Sequence, residues 1–289
     1  MSFDVPPKKA GWVAPPRPTV LDLYSLPGPE VKLIHLLLGA TDVVHSASGV
    51  KVPQRVNWAV LGTTPADRKK SGFKNALTSQ TLGIDDLNAY LTRNLAQTGF
   101  FEELFDEFSR FFYHTKKSLH VQAFLHLYRI LERVSYSFPI AYAATSHDYK
   151  GTFAQLRNYL TSAKDGELRF FNGFISHTIP AQARTSSVKF DVSSNDPSTR
   201  PFHFASLAST LRPTEIKNQS PGNWIEVDYD KVISIFIDLR NRYFHFGSGM
   251  PQNLTGKNLP DPDEFFGSIN EIFANWLTYI YFRVIEARL

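Results

Sequence analysis

The stretch YDKVISIFIDLRNRYFHFG, from Tyr229 to Gly247, has the most specific pattern in this chain. On a helix that turns about 100° per residue, its apolar side chains recur on one face. That face collects Tyr229, Ile233, Phe236, Ile237, Tyr243 and Phe244. Arg240 falls on the same face. The stretch therefore predicts an amphipathic helix with an arginine centred where a hydrophobic residue is expected.

An arginine in that position has few possible partners. Its guanidinium stays charged, so it needs a carboxylate, backbone carbonyls, a wet cleft or a phosphate. A second face carries the polar stripe Ser234, Asp238, Asn241 and His245. Ideal geometry separates Arg240 from His245 by about 140°, so a joint site requires a deformed helix or two chains. Gly247 is a suitable C-cap, and the helix dipole favours a protonated His245.

Helical spacing extends outward from this stretch over much of the chain. Apolar side chains recur from Ile84 to Phe108, from Ser118 to Thr145 and from Tyr149 to Ala163. In the second of these helices Val121, Phe124, Leu125, Tyr128, Leu131 and Val134 are predicted to point inward, and in the third Phe153, Leu156, Tyr159 and Leu160. A last helix begins with Asp261 as N-cap and Pro262 at the first position. The fold class is therefore mainly α.

Two regions depart from the helical pattern. Residues 1–80 are predicted to form a small mixed α/β or irregular region. It contains a proline-rich arm, a short helix from Pro29 to Val44 and one or two strands within Val50–Leu61. Residues 81–289 form the main helical domain, with a β-containing insertion near 180–228. In the insertion Val188, Phe190 and Val192 alternate, and Trp224 to Val227 are predicted to pair with them.

Composition excludes several functional classes. The chain has no cysteine, which rules out disulfides, thiolate metal sites and cysteine nucleophiles. It has no glycine-rich nucleotide loop, no HExxH pair and no GxSxG elbow.

Neither an apolar leader nor a stretch long enough to cross a bilayer is visible, so we expect a cytoplasmic protein without a membrane partner. A net charge of +4 permits a polyanionic partner without requiring one.

Two charged groups have a functional and a structural interpretation. On the helix from Ser118 to Thr145, the side opposite the apolar one holds His126, Arg129, Glu132 and Arg133. Such a cationic ridge with an embedded carboxylate can bind a phosphodiester backbone, but ordinary ion pairing on a wet face explains it equally well. The cluster Arg68, Lys69, Lys70 and Lys74 can meet phosphates, or it can be a solvated loop.

Arg240 and Asn241, followed by three residues and His245, resemble the HEPN ribonuclease signature, an arginine and a polar residue followed by a histidine at R-x4-6-H spacing. The resemblance implies an HEPN-like helical bundle that dimerises, faces two such motifs across a cleft and cleaves RNA without a metal or other cofactor. It also implies a toxin or phage-defence role, with an antitoxin or activating protein as a possible partner.

The residue types suit this chemistry. Attack by an RNA 2′-hydroxyl on the adjacent phosphorus needs proton transfer near neutral pH, which the His245 imidazole provides. The charged phosphorane needs a cation, which Arg240 provides. Asn241 orients His245 or the phosphate. Further substrate contacts are predicted for Arg242, Asp238, Glu132, Arg129 and Arg133.

Two alternatives stay open. In the first, Arg240 pairs with Glu132 or another internal carboxylate and His245 caps its helix, so that the motif is purely structural. In the second, an HEPN-like helical module binds nucleotide, RNA or protein through the same cleft without catalysis.

Overall fold

The computed structural model describes residues 2–8, 21–24, 28–61, 83–93, 98–145, 148–162, 171, 173–175, 179–193, 196–244 and 253–286. Two compact units divide the chain. The first contains Met1–Lys117 and Leu277–Leu289, and the second contains Ser118–Trp276. Helices dominate the described residues, so the mainly α class is confirmed. None of the helices in these ranges is long and apolar enough to cross a membrane.

The first unit combines a small antiparallel sheet with helices. Its strands are β1 (Phe3–Asp4), β2 (Val43–His45) and β3 (Lys51–Val52), and its helices are α1 (Pro29–Leu37), α2 (Ile84–Arg93) and α3 (Thr98–Lys116). Helix α1 starts with a proline, as predicted, and buries Leu33, Leu36 and Leu37. It ends earlier than predicted because Gly39 adopts φ +66°, where an added Cβ would meet the Val56 backbone. Val44, predicted to lie in this helix, belongs to β2.

Helix α3 belongs to the first unit, whereas we predicted a boundary near residue 80. It packs against α1, β1 and β3. Trp58 lies against the rings of Phe111 and Phe112, and Phe3 meets Tyr113. Because these aromatic side chains share a core with the N-terminal strands, the helical pattern that begins at Ile84 does not mark the start of a new unit.

The second unit is built on long helices. In chain order these are α4 (His120–Thr145), α5 (Tyr149–Ser162), α6 (Ala181–Arg184), α7 (Arg200–Ala208), α8 (Val232–Phe244) and α9 (Pro262–Glu286). The residues of α9 from Leu277 onward belong to the first unit. Asp261 accepts a hydrogen bond from the Glu264 backbone N–H at 3.0 Å, which confirms the predicted N-cap of α9. Phe236 of α8 and Phe273 of α9 stack with their centroids 4.2 Å apart, at the centre of this core.

The predicted insertion contains a three-stranded antiparallel sheet. Strands β4 (Ser187–Asp191), β5 (Ile216–Ser220) and β6 (Trp224–Asp228) lie in the order β4-β6-β5. Val188 pairs with Val227 and Phe190 with Ile225, and these side chains are buried. The predicted pairing is therefore confirmed. Helix α7 was not predicted, because its nine residues contain Pro201 and His203 and lack a clear apolar spacing.

Two apolar residues that we predicted to point inward are exposed. Leu125 of α4 and Phe153 of α5 both lie on the outer side of their helices. Leu125 was assigned to the wrong face because it is next to Phe124, and adjacent residues on a helix differ by about 100° in direction. The Arg68–Lys74 cluster, Tyr159, Leu160 and Gly247 lie outside the residues or side chains that the structure describes.

Candidate functional site

Helix α8 presents the residues on which the functional hypothesis rests. A 3-10 turn, Tyr229–Lys231, follows strand β6 and leads directly into the helix. The helix is held through Phe236, whose ring meets Phe124 at 5.0 Å and Tyr128 at 6.0 Å between centroids. These aromatic contacts with α4 fix the rotation of α8, and so they fix the direction in which Arg240 leaves the helix.

The guanidinium of Arg240 lies against α4. Its central carbon is 4.5 Å from the centroid of the Tyr128 ring, a cation–π contact. Nη2 is 3.8 Å from a carboxylate oxygen of Glu132, and Nη1 donates to the side-chain oxygen of Asn241 at 3.1 Å. The Arg240 side chain is 22% exposed and that of Glu132 49% exposed. A flat ring and a solvated carboxylate therefore hold the guanidinium at the surface.

Arg240 lies at the border of the apolar face of α8, not at its centre as we predicted. The buried side chains are Val232, Ile233, Ile235, Phe236 and Leu239. Ile237, which we placed on the same face as Arg240, is only half-buried. The buried face is turned away from Arg240 because Val232, Ile235 and Leu239 also pack inward. The half-buried position explains how a charged group is accommodated without full desolvation.

The polar stripe on α8 is confirmed over the part that the structure describes. Ser234 and Asn241 are exposed and Asp238 is half-buried. His245, the fourth member of the stripe, lies outside the described residues, and so its relation to Arg240 stays a prediction. The structure thus brings Arg240, Asn241 and Glu132 together.

Arg242 and Asp238 form a separate group whose contacts are internal. The Arg242 guanidinium donates to the Ser209 hydroxyl at 2.7 Å and to the Ser209 carbonyl at 2.8 Å, and its Nε is 3.3 Å from the Asp238 carboxylate. Ser209 follows the last residue of α7, so Arg242 satisfies a carbonyl at that helix end. Burial raises the pKa of Asp238, and Arg242 partly opposes this effect. We predicted substrate contacts for both residues; their contacts in the structure join α7 to α8.

The charged residues of α4 differ in exposure. Arg129 and Glu132 are exposed, and Arg133 is half-buried. His126, which we predicted on the same polar side, is buried. Glu132 contacts Arg240 of the HEPN-like motif. The structure therefore does not show a continuous cationic ridge.

Two site residues were missed by sequence reasoning. Tyr128 was interpreted only as a core residue, yet its ring supports Arg240. The spacing of Tyr128 and Glu132, four residues apart on one helix, could have suggested that both contact the same group. Ser209 carries no such signal, since its contact with Arg242 joins residues 33 positions apart.

A shallow groove of about 310 Å³ lies beside Arg242, with Phe202, Ser206 and Asn258 in its lining. The Ser206 hydroxyl donates to the Asn258 carbonyl, and the Asn258 amide donates to the Asn253 carbonyl. These polar groups are thus already bound to one another. Among the described residues, no three His, Asp or Glu side chains are arranged to hold a metal ion.

Comparison with protein-family models, with curated proteins and with solved structures gives no significant match for this chain. The fold and the site therefore rest on the residues themselves.

Proposed function

We propose that this chain is a metal-independent endoribonuclease of the HEPN type that acts as a homodimer. The observation that carries the proposal is the position of Arg240. Its guanidinium carbon is 4.5 Å from the centroid of the Tyr128 ring, and its contact with the half-exposed Glu132 carboxylate is long, at 3.8 Å. An RNA phosphate can replace such a carboxylate at small cost, because exposed ion pairs contribute little and bidentate phosphate contacts are strong.

In the proposed reaction the RNA 2′-oxygen attacks the adjacent phosphorus while the bond from phosphorus to the 5′-oxygen breaks. One proton leaves the 2′-hydroxyl and one is delivered to the departing 5′-oxygen, and His245 serves these transfers. Arg240 stabilises the negative charge on the phosphorane, and Asn241 holds the guanidinium in place through its side-chain oxygen. The products are a 2′,3′-cyclic phosphate and a 5′-hydroxyl.

The biological setting follows from the family resemblance alone. A cytoplasmic toxin or phage-defence effector, controlled by an antitoxin or an activating protein, is the role that this chemistry would serve.

A second candidate is a non-catalytic module that binds RNA, nucleotide or a protein partner at the same place. The contact between Arg240 and Glu132 fits it, and the same contact is the pairing expected if the motif is purely structural. Asn241, the other described member of the motif, is also a binding group and not a base.

The test compares wild type, Arg240→Ala and His245→Ala on structured RNA, with and without EDTA, followed by analysis of the product ends. We expect His245→Ala to lose cleavage by at least about 100-fold while it still binds RNA. Arg240→Ala is expected to lose both cleavage and binding. Arg93→Ala, which removes an exposed arginine of α2, is the matched control and should retain both.

Full cleavage by His245→Ala, or loss of wild-type cleavage in EDTA, would contradict the mechanism. RNA binding that depends on Arg240 without any turnover in the wild type would instead support the binding module.

A further inference from the structure

Helix α4 carries three side chains at intervals of four residues beside Arg240. Tyr128, Glu132 and Tyr136 are separated by about 6 Å along the helix axis, and each is displaced by about 40° around it from the one before. Their exposure follows this rotation, since Tyr128 is 6% exposed, the Glu132 side chain 49% and Tyr136 56%. The line therefore begins at the ring that contacts Arg240 and ends at the surface.

The Glu132 carboxylate can accept further hydrogen bonds. An ionised carboxylate has two oxygens, which together accept up to about four hydrogen bonds. Its distance of 3.8 Å from Nη2 of Arg240 makes an ion pair without a hydrogen bond. Within the part of the chain that the structure describes, this carboxylate has no other ion pair and accepts no hydrogen bond. A ligand with two neighbouring N–H donors can therefore bind it without breaking a hydrogen bond inside the protein.

Tyr136 adds an exposed aromatic surface one helical turn beyond this carboxylate. Residues four apart on a helix are neighbours, with their Cβ atoms about 5 to 6 Å apart. Among the described side chains, no other aromatic ring contacts that of Tyr136. A planar ligand can stack on the Tyr136 ring and reach the Glu132 carboxylate with its edge.

The charge of Glu132 restricts which planar ligand fits. When an RNA phosphate replaces Glu132 at Arg240, the carboxylate lies beside a second anion, and the repulsion between them opposes binding. Hydrogen-bond donors on the ligand offset this repulsion. Guanine supplies two, because N1–H and N2–H lie side by side on its Watson–Crick edge. Uracil has a single N–H between two carbonyl oxygens, and adenine has an acceptor nitrogen next to its amino group, so both fit a carboxylate less well.

We propose that Glu132 and Tyr136 form a base subsite that selects guanine next to the phosphate held by Arg240. The guanine ring stacks on Tyr136 and donates N1–H and N2–H to the two oxygens of Glu132. The inference rests on the proposed function in taking RNA as the ligand of Arg240, but it does not require catalysis.

Binding is measured with oligonucleotides that cannot be cleaved. These are labelled 2′-O-methyl uridine octamers that carry one central guanosine, inosine or uridine, and fluorescence anisotropy gives their dissociation constants. We expect the wild type to bind the guanosine octamer at least about fivefold more tightly than the uridine octamer. Inosine keeps N1–H but lacks the N2 amino group, so the inosine octamer should lose most of this gain.

Glu132→Gln keeps the size of the side chain and replaces one acceptor oxygen by a donor. The preference of this variant for guanosine over inosine should fall below about twofold. Its affinity for the uridine octamer should not fall, because the negative charge beside the phosphate is removed. A merely structural role of Glu132 would not move the two octamers in different directions.

Tyr136→Ala should weaken binding of the guanosine octamer by about fivefold or more, the usual effect of losing one stacked base. Tyr136→Phe keeps the ring and should therefore keep the affinity. Tyr149→Ala is the matched control, since Tyr149 is an exposed tyrosine of α5. It should bind as the wild type does.

Equal affinity of the wild type for the guanosine, inosine and uridine octamers would overturn the proposal, and so would the absence of binding. A preference for guanosine that survives in Glu132→Gln would overturn it as well. Equal losses for Tyr136→Ala and Tyr149→Ala would contradict stacking on Tyr136.

Cleavage of the same sequences as unmodified RNA separates this inference from the proposed function. Guanosine-selective binding that depends on Glu132, without any cleavage, supports the base subsite and contradicts the nuclease. Cleavage that requires Arg240 but is equally fast at every base overturns the base subsite and leaves the nuclease standing.

Discussion

Arg240 and Arg242 are two residues apart on α8, and their guanidinium groups have different surroundings. The Arg242 guanidinium makes two hydrogen bonds to Ser209 and an ion pair with Asp238. Arg240 lies on a ring surface and faces a solvated carboxylate. A group whose hydrogen bonds are already made inside the protein stabilises the fold, whereas a group with a solvated partner can exchange that partner for a ligand.

This contrast predicts different effects on stability. Arg242→Ala removes the bonds to Ser209 and leaves the half-buried Asp238 without its cation, so we expect a loss of about 2 kcal/mol in the free energy of unfolding. Arg240→Ala, the matched control, should cost less than about 1 kcal/mol, because its contacts are a cation–π pair and a half-exposed ion pair. Urea denaturation measures both variants. Equal losses would show that Arg240 is as structural as Arg242.

Asp42 in the first unit predicts a pH dependence. Burial alone raises the pKa of Asp42, but hydrogen bonds from Arg55, Lys51 and the Gln54 backbone outweigh it and hold the pKa at about 2. A carboxyl with a depressed pKa stabilises the fold above its unfolded pKa of 3.8, and this contribution is lost as the pH falls from there toward about 2.

The expected contribution of Asp42 to the free energy of unfolding is about 1 to 2 kcal/mol. This is less than the full pKa difference would give, because Arg55 and Lys51 are half-exposed and solvent screens their charges. Unfolding free energies of the wild type and Asp42→Asn, measured from pH 5 down to pH 2, provide the check. Asp42→Asn should be less stable at pH 5, and the difference should shrink as the pH falls. A constant difference across this range would contradict the assignment.

At the scale of elements, aromatic stacking between helices holds the second unit together. Phe236 and Phe273 stack with an interplanar angle of 7°, and Phe124 packs against both rings. Three helices, α4, α8 and α9, thus meet through one cluster of rings. Since α8 carries Arg240 and α4 carries Tyr128 and Glu132, this cluster also sets the geometry of the candidate site.

Phe236→Ala is therefore expected to destabilise the protein by about 3 to 5 kcal/mol, the usual cost of a large cavity in a packed core. The matched control is Phe153→Ala, since Phe153 is 65% exposed on α5 and should change stability by no more than about 0.5 kcal/mol. Thermal or urea unfolding distinguishes the two. A similar loss for Phe153→Ala would indicate that its ring is covered by a partner in solution.

At the scale of the whole molecule, local sequence patterns predicted the long helices and the pairing of two strands in the insertion. Pro29 at the start of α1, Asp261 before α9, and the alternation of Val188 and Phe190 are signals contained within a few residues. The division into units was not predictable from such signals. It depends on Phe111 and Phe112 meeting Trp58, a pairing between distant residues that periodicity does not encode.

The candidate site shows the same limit. The sequence predicts Glu132 as one possible partner of Arg240, because periodicity shows which helix face each residue occupies. The contact of Arg242 with Ser209 cannot be predicted in this way, since no distinctive pattern surrounds Ser209. The exposure of Leu125 was also missed, because it directly follows the buried Phe124 and apolar residues are common on protein surfaces.

Arg242 has one further contact, in which its backbone carbonyl accepts a hydrogen bond from the Leu254 N–H at 2.9 Å. This backbone bond ties the end of α8 to the residues that lead into α9. Closing a longer loop at such a point adds only about 0.6 kcal/mol for each doubling of its length. For protein engineering, this means that a change in the number of residues between Arg242 and Leu254 should cost little stability, because both positions are tied to each other through the backbone.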